Sequence, residues 1–119
     1  DEFLMLSPNS FNSLGLGLTQ LYNTTWVYNH KRKGVFRLNG KLFEFKLKSS
    51  FPTQLTKEFL LVELLSSMDY LAETPDLVNL SKKVEDFDSA ALMQMAQKYG
   101  SGRAKKILKT ILRKDLSYA

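Results

Sequence analysis

The stretch that decides the fold lies at residues 34–48 and reads GVFRLNGKLFEFKLK. Its centre, Asn39-Gly40, is typical of a two-residue type I′ turn, because both central positions of that turn need a positive φ. After the turn, Phe43, Phe45 and Leu47 alternate with charged residues. Successive side chains of a strand point to opposite faces, so this alternation predicts one apolar and one charged face. We therefore expect a β-hairpin with one apolar side.

The segment before the hairpin extends it into a sheet. Trp26-Val27-Tyr28 is rich in residues that favour strands, and Phe36 and Leu38 have the spacing to join the apolar face. We predict an antiparallel β-meander over about residues 24–48, with strands at about 24–30, 34–39 and 41–48. An apolar sheet face has to be buried against another layer, so we expect a helix to cover it.

The second half of the chain is predicted to be helical. A central helix at about residues 56–72, with Thr56 as its N-cap, is apolar around most of its circumference and is expected to be the buried cover. A C-terminal helical cluster follows, at about residues 75–85, 89–98 and 103–114. The expected signals in this cluster are a start at Thr74-Pro75, a cap at Asp88 or Ser89 and a stop at Gly100. The fold class is therefore α+β.

The N-terminal segment adds one more strand. Phe3-Leu4-Met5-Leu6 predicts a strand, and Ser7-Pro8 predicts the cap and first position of a short helix at about residues 8–14. The sequence opens on Asp1-Glu2, with no initiator Met and no basic segment typical of a signal peptide. We expect the natural protein to begin upstream.

Composition indicates a single ordinary domain. A chain of 119 residues with 44% hydrophobic content can bury roughly two-thirds of its unfolded surface in one core. The absence of cysteine excludes disulfides and thiolate zinc sites and fits a reducing cytoplasm. No apolar run approaches the roughly 20 residues that span a bilayer, so no transmembrane segment is predicted.

Charge is segregated along the chain. The net charge is +5, with seven Lys/Arg against three acids in residues 1–50, four against eight in residues 51–99, and six against one in residues 100–119. Clustered cations attract phosphate groups or acidic protein surfaces. The pattern therefore predicts a binding module.

The first cationic cluster lies between and within the predicted strands and comprises Lys31, Arg32, Lys33 and Arg37. Tyr28 and His30 come just before it. Basic side chains next to aromatic rings can clamp phosphates while a ring stacks on a base. The alternative is a charged loop tip that keeps the end of a sheet soluble and unpaired.

The second cluster lies on the last predicted helix, where apolar residues follow the i, i+3, i+4, i+7 spacing. Its cations are Arg103, Lys105, Lys106, Lys109 and Arg113. This basic helix is predicted to contact phosphate or an acidic partner. The alternative is a solvated face that binds nothing specific, and the lack of Trp and Phe in the apolar stripe argues against a membrane surface.

The sequence lacks the parts of a catalytic centre. It has one histidine, no cysteine, and no acidic pair at a spacing that requires acid/base work. We predict that the protein is not an enzyme and uses no cofactor or metal. His30 is interpreted as a strand-end residue, and Glu63 as a buried carboxylate with a raised pKa or with a Lys or hydroxyl partner. Gly100-Ser101-Gly102-Arg103 resembles an anion seat at a helix start, with an ordinary cap as the alternative.

Several stretches, taken in order, carry a family resemblance: GLGLTQLYN at 15–23, VYNHKR at 27–32, FEF at 43–45, FP at 51–52, EFLLVEL at 58–64 and YGSGRAKK at 99–106. They resemble the C-terminal region of AbiEi-type antitoxins, which belong to bacterial abortive-infection (type IV) toxin–antitoxin systems. The resemblance covers most of the chain.

The resemblance implies a two-part protein, with an N-terminal winged helix-turn-helix that binds operator DNA and a C-terminal antitoxin domain. Since Asp1 already enters the antitoxin-like region, residues 1–119 are expected to be the antitoxin domain alone. The implied partners are a nucleotidyltransferase-like toxin, contacted directly or opposed functionally, and DNA through the parent protein. The implied function is toxin neutralisation in phage defence, with a part in transcriptional autoregulation. The alternative is a stand-alone basic nucleic-acid-binding module without a toxin partner.

Overall fold

The computed structural model describes residues 2–117, with side chains described through residue 113; Asp1 lies outside the described residues. Within this range the strands are β1 (Phe3–Leu6), β2 (Thr24–Asn29), β3 (Gly34–Leu38) and β4 (Lys41–Leu47). The α-helices are α1 (Lys57–Ser66), α2 (Leu77–Lys83), α3 (Ser89–Tyr99) and α4 (Gly102–Ser117). Short 3₁₀ helices occupy Pro8–Leu14, Met68–Tyr70 and Val84–Asp86. The predicted α+β class is confirmed.

The sheet is mixed, and the predicted antiparallel meander is wrong. The strand order is β1-β2-β4-β3, so β4 lies between β2 and β3. β4 runs parallel to β2 and antiparallel to β3, while β1 is antiparallel to β2. The physical reason is strand length: β4 has seven residues and pairs along both edges, whereas β3 has five residues, all exposed, and forms a sheet edge. The interior position therefore satisfies more backbone groups.

The β3–β4 hairpin forms as predicted. Leu38 pairs with Lys41 around Asn39-Gly40, where the φ angles are 52° and 78°. Glycine adopts such positive φ values without strain, and asparagine tolerates them better than most residues. The expected I′-type turn is confirmed.

The two faces of the sheet differ in what covers them. The closed face carries Leu4, Leu6, Trp26 and Tyr28, all buried on the side of α1. The open face carries alternate residues of all four strands, among them Phe3, Met5, Val27, Phe36, Leu38, Phe43, Phe45 and Leu47. Many of these open-face residues are half-buried or exposed. The β1 and β2 residues of the closed face are therefore buried, whereas the open face presents apolar side chains to solvent.

The apolar residues of the hairpin lie on the face opposite to the predicted one. The parallel register places Glu44 beside Trp26 and Lys46 beside Tyr28, so these charged residues share the face of α1. The prediction that the central helix covers Phe43, Phe45 and Leu47 is therefore wrong. Alternation determines which residues share a face, but the register with β2 determines which face that is. Here the large rings of β2 occupy the space under α1.

α1 is the buried central helix that the sequence predicted. The Thr56 hydroxyl accepts the N–H of Phe59 at 3.1 Å and caps the first turn. Every residue from Glu58 to Leu65 is buried. The helix contacts the sheet through Tyr28, and α3 and α4 also pack against it. It therefore lies between the sheet and the C-terminal helices.

The predicted end of this helix, near residue 72, is wrong. α1 ends at Ser66, because the N–H of Ser67 bonds to the carbonyls of both Glu63 and Leu64, at 2.9 and 3.1 Å. Such shared bonds tighten the last turn, and the chain continues into the 3₁₀ turn at Met68–Tyr70.

The predicted start of α2 is wrong, whereas the predicted ends of α3 are confirmed. α2 begins after Asp76 rather than at Thr74-Pro75, because the Asp76 carboxylate accepts a first-turn N–H at 3.0 Å. α3 is capped by Asp88 and followed by Gly100, as predicted. Gly100 has a φ of −77°, which any residue can adopt, so the backbone conformation does not require glycine here. Space does, because a Cβ at this position would lie 2.7 Å from the carbonyl oxygen of Ala96.

Candidate binding surface

One buried side chain holds the loop between β2 and β3. Asn29, at the end of β2, is 8% exposed. Its Oδ1 accepts the N–H groups of Lys31 and Arg32, at 2.9 and 2.7 Å. Its Nδ2 donates to the carbonyls of Val27, Arg32 and Lys46, at 3.2, 2.9 and 3.4 Å. Asn29 therefore uses its whole hydrogen-bonding capacity to tie the cationic loop to both β2 and β4.

An apolar groove crosses the open face. It has a volume of about 660 Å³ and is lined by strand residues, by Glu2 and by residues 30–32, with no helix residue among the described lining residues. Its floor is formed by Met5, Val27, Phe43 and Phe45. Phe3 and Leu38, on the two edge strands, are 62% and 63% exposed. Contiguous exposed apolar surface of this kind marks interaction sites.

Cations border this groove. Lys31, Arg32 and Arg37 all line it. The Arg32 guanidinium lies 5.8 Å from the centre of the Phe45 ring, within cation–π range. Among the groove's described lining residues the only acid is Glu2, whose carboxylate lies 3.7 Å from a ring nitrogen of His30. An apolar floor with a charged rim is the usual anatomy of a protein interface.

His30 immediately follows β2 and helps to join the strand ends. Its Nδ1 lies 2.9 Å from the carbonyl oxygen of Lys48, and its ring stacks on Phe51 with centroids 4.7 Å apart. These contacts agree with the interpretation of His30 as a strand-end residue.

The other predicted cations lie elsewhere. Lys33 lines a second cavity beside β4. Arg103 forms a 2.8 Å ion pair with Asp69, and Lys105 is half-buried. The other predicted cations of α4 are exposed: Lys106, Lys109 and Arg113. Because α4 packs on α1 and α1 covers the closed face, the α4 cations and the groove cations lie on opposite sides of the sheet.

The second cavity combines lysines with aromatic rings. It has a volume of about 680 Å³ and includes Lys33, Lys46, Lys48, Tyr22, Trp26 and Tyr70 in its lining. The Lys46 ammonium lies 3.9 Å from the centre of the Trp26 ring and 5.6 Å from that of Tyr70. Burial lowers the pKa of Lys46, although the nearby Glu44 carboxylate opposes this shift. Lys46 is therefore a partly desolvated cation on a mostly aromatic wall.

The start of α4 is an ordinary helix cap. The Ser101 hydroxyl accepts the N–H of Ala104 at 3.1 Å, and the N–H of Ser101 donates to the Ser66 hydroxyl at 3.0 Å. This is the cap that the sequence analysis gave as the alternative to an anion seat.

A buried hydrogen bond joins the sheet to α1. The Tyr28 hydroxyl donates to the Glu63 carboxylate at 2.5 Å. Burial raises the pKa of Glu63, while the bond from Tyr28 lowers it. Burial and the neighbouring Glu63 carboxylate also raise the pKa of Tyr28. Glu63 therefore satisfies both sequence-based interpretations, as a buried carboxylate with a raised pKa and a hydroxyl partner.

Sequence reasoning missed Asn29 and the open-face aromatics as parts of the site. One signal for Asn29 was available, because an asparagine near the end of a predicted strand is typical of an Asx turn. Phe36 and Phe45 gave no such signal, since an alternating strand has the same pattern whichever face is covered.

The chain matches no protein-family model, no curated protein and no solved structure. Within residues 2–117, no helix has the length and apolar character needed to cross a membrane. In the same range, no group of three or more His, Cys, Asp or Glu side chains converges as a metal site.

Proposed function

We propose that this chain is the antitoxin domain of a bacterial type IV toxin–antitoxin system. It acts in the cytoplasm by binding, counters a nucleotidyltransferase-like toxin, and assists transcriptional autoregulation by the parent protein. Support for the family comes from the resemblance of residues 15–23, 27–32, 58–64 and 99–106. Support for a binding role comes from the site geometry.

The observation that carries the binding role is the cationic loop held by Asn29. Five hydrogen-bond contacts from one side chain fix a loop whose Lys31 and Arg32 border exposed apolar surface. A fixed loop loses less conformational entropy when a partner binds, so the contact gains affinity. A loop that only kept the sheet end soluble would need no such fixation.

The test is rescue of growth. The chain is co-expressed with the nucleotidyltransferase-like toxin encoded beside the parent gene, and colony numbers are compared with those from toxin alone. Rescue is expected from the native chain. Toxicity that persists while the chain is present as folded protein would overturn the antitoxin function.

Two variants connect rescue to the loop. Asn29→Ala removes the contacts that hold the loop, and Arg32→Glu with Arg37→Glu reverses the charge of the groove rim; both are expected to weaken rescue. The matched control, Lys82→Glu with Lys98→Glu, makes the same charge change on exposed positions of α2 and α3. Equal rescue by all variants would contradict a role for this loop. Co-purification with the toxin separates direct contact from functional opposition.

A second candidate function is binding of single-stranded nucleic acid without a toxin partner. The second cavity, lined by three lysines and four aromatic residues, favours it, because lysines neutralise phosphates and an exposed ring stacks on bases. Tyr70 supplies such a ring, being 78% exposed. The basic face of α4 is a second cationic surface on the same side of the sheet.

A salt titration tests this candidate. Changing Lys105, Lys106, Lys109 and Arg113 together to Ser should weaken oligonucleotide binding and lower the slope of log K against log salt by up to about 3. Tyr70→Ala should weaken binding without changing the slope, because stacking releases no counterions. Binding and slope that match the native chain in both variants would leave this candidate without support.

A further inference from the structure

The open face of the sheet lacks a second layer. A sheet face that meets solvent is normally lined with polar side chains. Here α1 covers one face, while the groove of about 660 Å³ crosses the other. Phe3, Met5, Phe36 and Leu38 are between 46% and 63% exposed on that face. This much apolar surface is characteristic of an interface.

We propose that the groove binds an amphipathic helix with acidic flanks, presented by a partner protein. The four strands give a width of about 14 Å at about 4.8 Å per strand spacing, which fits one helix of about 10–12 Å diameter. The longest strand has seven residues and spans about 23 Å. A helix of about 15 residues covers that length.

The rim determines the charge of the occupant. Arg32 lines the groove with its guanidinium over Phe45, and Arg37 of the edge strand β3 also lines it, although the register places Arg37 on the strand face opposite to Phe36 and Leu38. Glu2, the one acid among the described lining residues, faces His30. A helix with Asp or Glu beside its apolar stripe therefore meets unlike charges along this rim. Complementary charge mainly raises specificity and the association rate, while the apolar stripe provides most of the affinity.

The same charges disfavour a second copy of this chain. In a face-to-face dimer, two cationic rims would share one interface, in which Glu2 is the only acid among the described lining residues of each copy. Like charges brought together at an interface cost several kcal/mol. The groove is thus complementary to an acidic partner rather than to itself.

Ring geometry disfavours base stacking on Phe45 in this groove. Phe36 meets Phe45 edge-to-face, with an interplanar angle of 88° and centroids 5.3 Å apart. The Arg32 guanidinium lies over the Phe45 ring. A stacked base needs an open ring face, and this ring already has a cation and a neighbouring ring against it. Aliphatic and aromatic side chains of a helix can pack between such rings without stacking.

A peptide selection tests the proposal without any toxin, so its outcome is independent of the proposed function. The full chain is immobilised and presented with a displayed library of 15-residue peptides that share a leucine stripe at helical spacing and have random flanking positions. Selected peptides are expected to be enriched about threefold or more in Asp and Glu over Lys and Arg at the flanks. Absence of this enrichment would overturn the proposal.

Charge reversal gives the decisive control. Selection against Arg32→Glu with Arg37→Glu should favour Lys and Arg at the same flanking positions, whereas Lys82→Glu with Lys98→Glu should leave the acidic preference unchanged. A preference that does not change sign in the rim variant would show that the peptides bind elsewhere, and would contradict the groove.

Apolar variants locate the binding. Phe36→Ser with Leu38→Ser changes side chains that are 49% and 63% exposed, so the fold should persist, and selected acidic peptides should lose at least tenfold in affinity. The control, Leu21→Ser with Val78→Ser, alters side chains that are 75% and 70% exposed outside the groove. Circular dichroism confirms folding of both. Self-association or oligo-dT binding that disappears in the Phe36/Leu38 variant would instead assign the face to a second copy or to nucleic acid.

Discussion

Both faces of this sheet carry aromatic and aliphatic side chains, but those of β1 and β2 on the closed face are buried, whereas several on the open face are exposed. Trp26 and Tyr28 on the closed face are 5% and 1% exposed, whereas Phe36 on the open face is 49% exposed. Tyr28 contacts Phe59 and Glu63 of α1, and the Trp26 ring meets Phe11 edge-to-face. The comparison indicates that the buried residues contribute more to stability, and the open face is the one that the proposed partner would contact.

The largest expected effect comes from the paired truncations Phe59→Ala and Phe36→Ala. Phe59 is 1% exposed and meets the rings of Tyr28 and Tyr99, so its loss should cost about 3–5 kcal/mol. Phe36→Ala should cost less than about 1 kcal/mol. Urea unfolding measures both. Comparable losses would show that the open face also contributes to stability.

The next effect concerns the hairpin that supplies half of the open face. Changing Asn39-Gly40 to Val-Val places β-branched residues at φ angles of 52° and 78°, which should cost about 2–4 kcal/mol. Asn39→Gly, which keeps both conformations accessible, is the control and should change stability by less than about 1 kcal/mol. Equal melting temperatures for Val-Val and the native chain would contradict the I′ geometry.

A pH-dependent effect is expected on the closed face. Burial raises the pKa of Glu63 above its ordinary value of 4.5, so the folded state holds this proton more tightly than the unfolded state. The contribution of Glu63 is therefore most favourable below pH 4.5 and is lost as pH rises through the folded pKa. Urea unfolding at a series of pH values should show this decline.

Two variants separate the contributions of Tyr28 and Glu63, which are joined by a hydrogen bond. Tyr28→Phe removes the hydroxyl that stabilises the carboxylate, so it should cost about 1–3 kcal/mol at neutral pH and less in acid. Glu63→Gln removes the titrating group and should flatten the decline. Identical pH slopes in the native chain and Glu63→Gln would show that Glu63 does not titrate in this range.

The smallest expected effect is the loss of stability when one cation–π contact is removed from each face. Lys46 lies 3.9 Å from the Trp26 ring centre and Arg32 lies 5.8 Å from that of Phe45. Lys46→Met should cost about 0.5–1 kcal/mol and Arg32→Met less than about 0.5 kcal/mol. Thermal unfolding resolves the order. A greater loss for Arg32 would mean that the open face is more protected from solvent than the closed one.

Local chemistry explains which features could be predicted from the sequence. Thr56, Asp88 and Asn39-Gly40 each act through groups a few residues away, so the α1 cap, the α3 cap and the hairpin turn were predicted correctly. The position of β4 depends on its pairing with β2, a contact between distant segments that no local pattern specifies. The same register decided that Phe43 and Phe45 lie on the open face.

In the candidate site, too, local features could be predicted and contacts between distant segments could not. The cations of the β2–β3 loop could be named from charge clustering, but their position beside apolar surface depends on the face that Phe36 and Phe45 occupy. The distance between this loop and α4 could not be predicted either, because α1 separates the two clusters only in three dimensions. Both results depend on packing between distant segments.

The place of β4 between β2 and β3 has a consequence for the order of folding. The hairpin of β3 and β4 closes over two residues and can form early, whereas the pairing of β4 with β2 must wait until that hairpin docks. Asn29 reaches the carbonyl of Lys46, and its own carbonyl accepts the N–H of Lys48 at 2.8 Å. The cationic loop can therefore reach its final shape only after docking, so a chain that has stalled partway along its folding route does not yet present its binding surface.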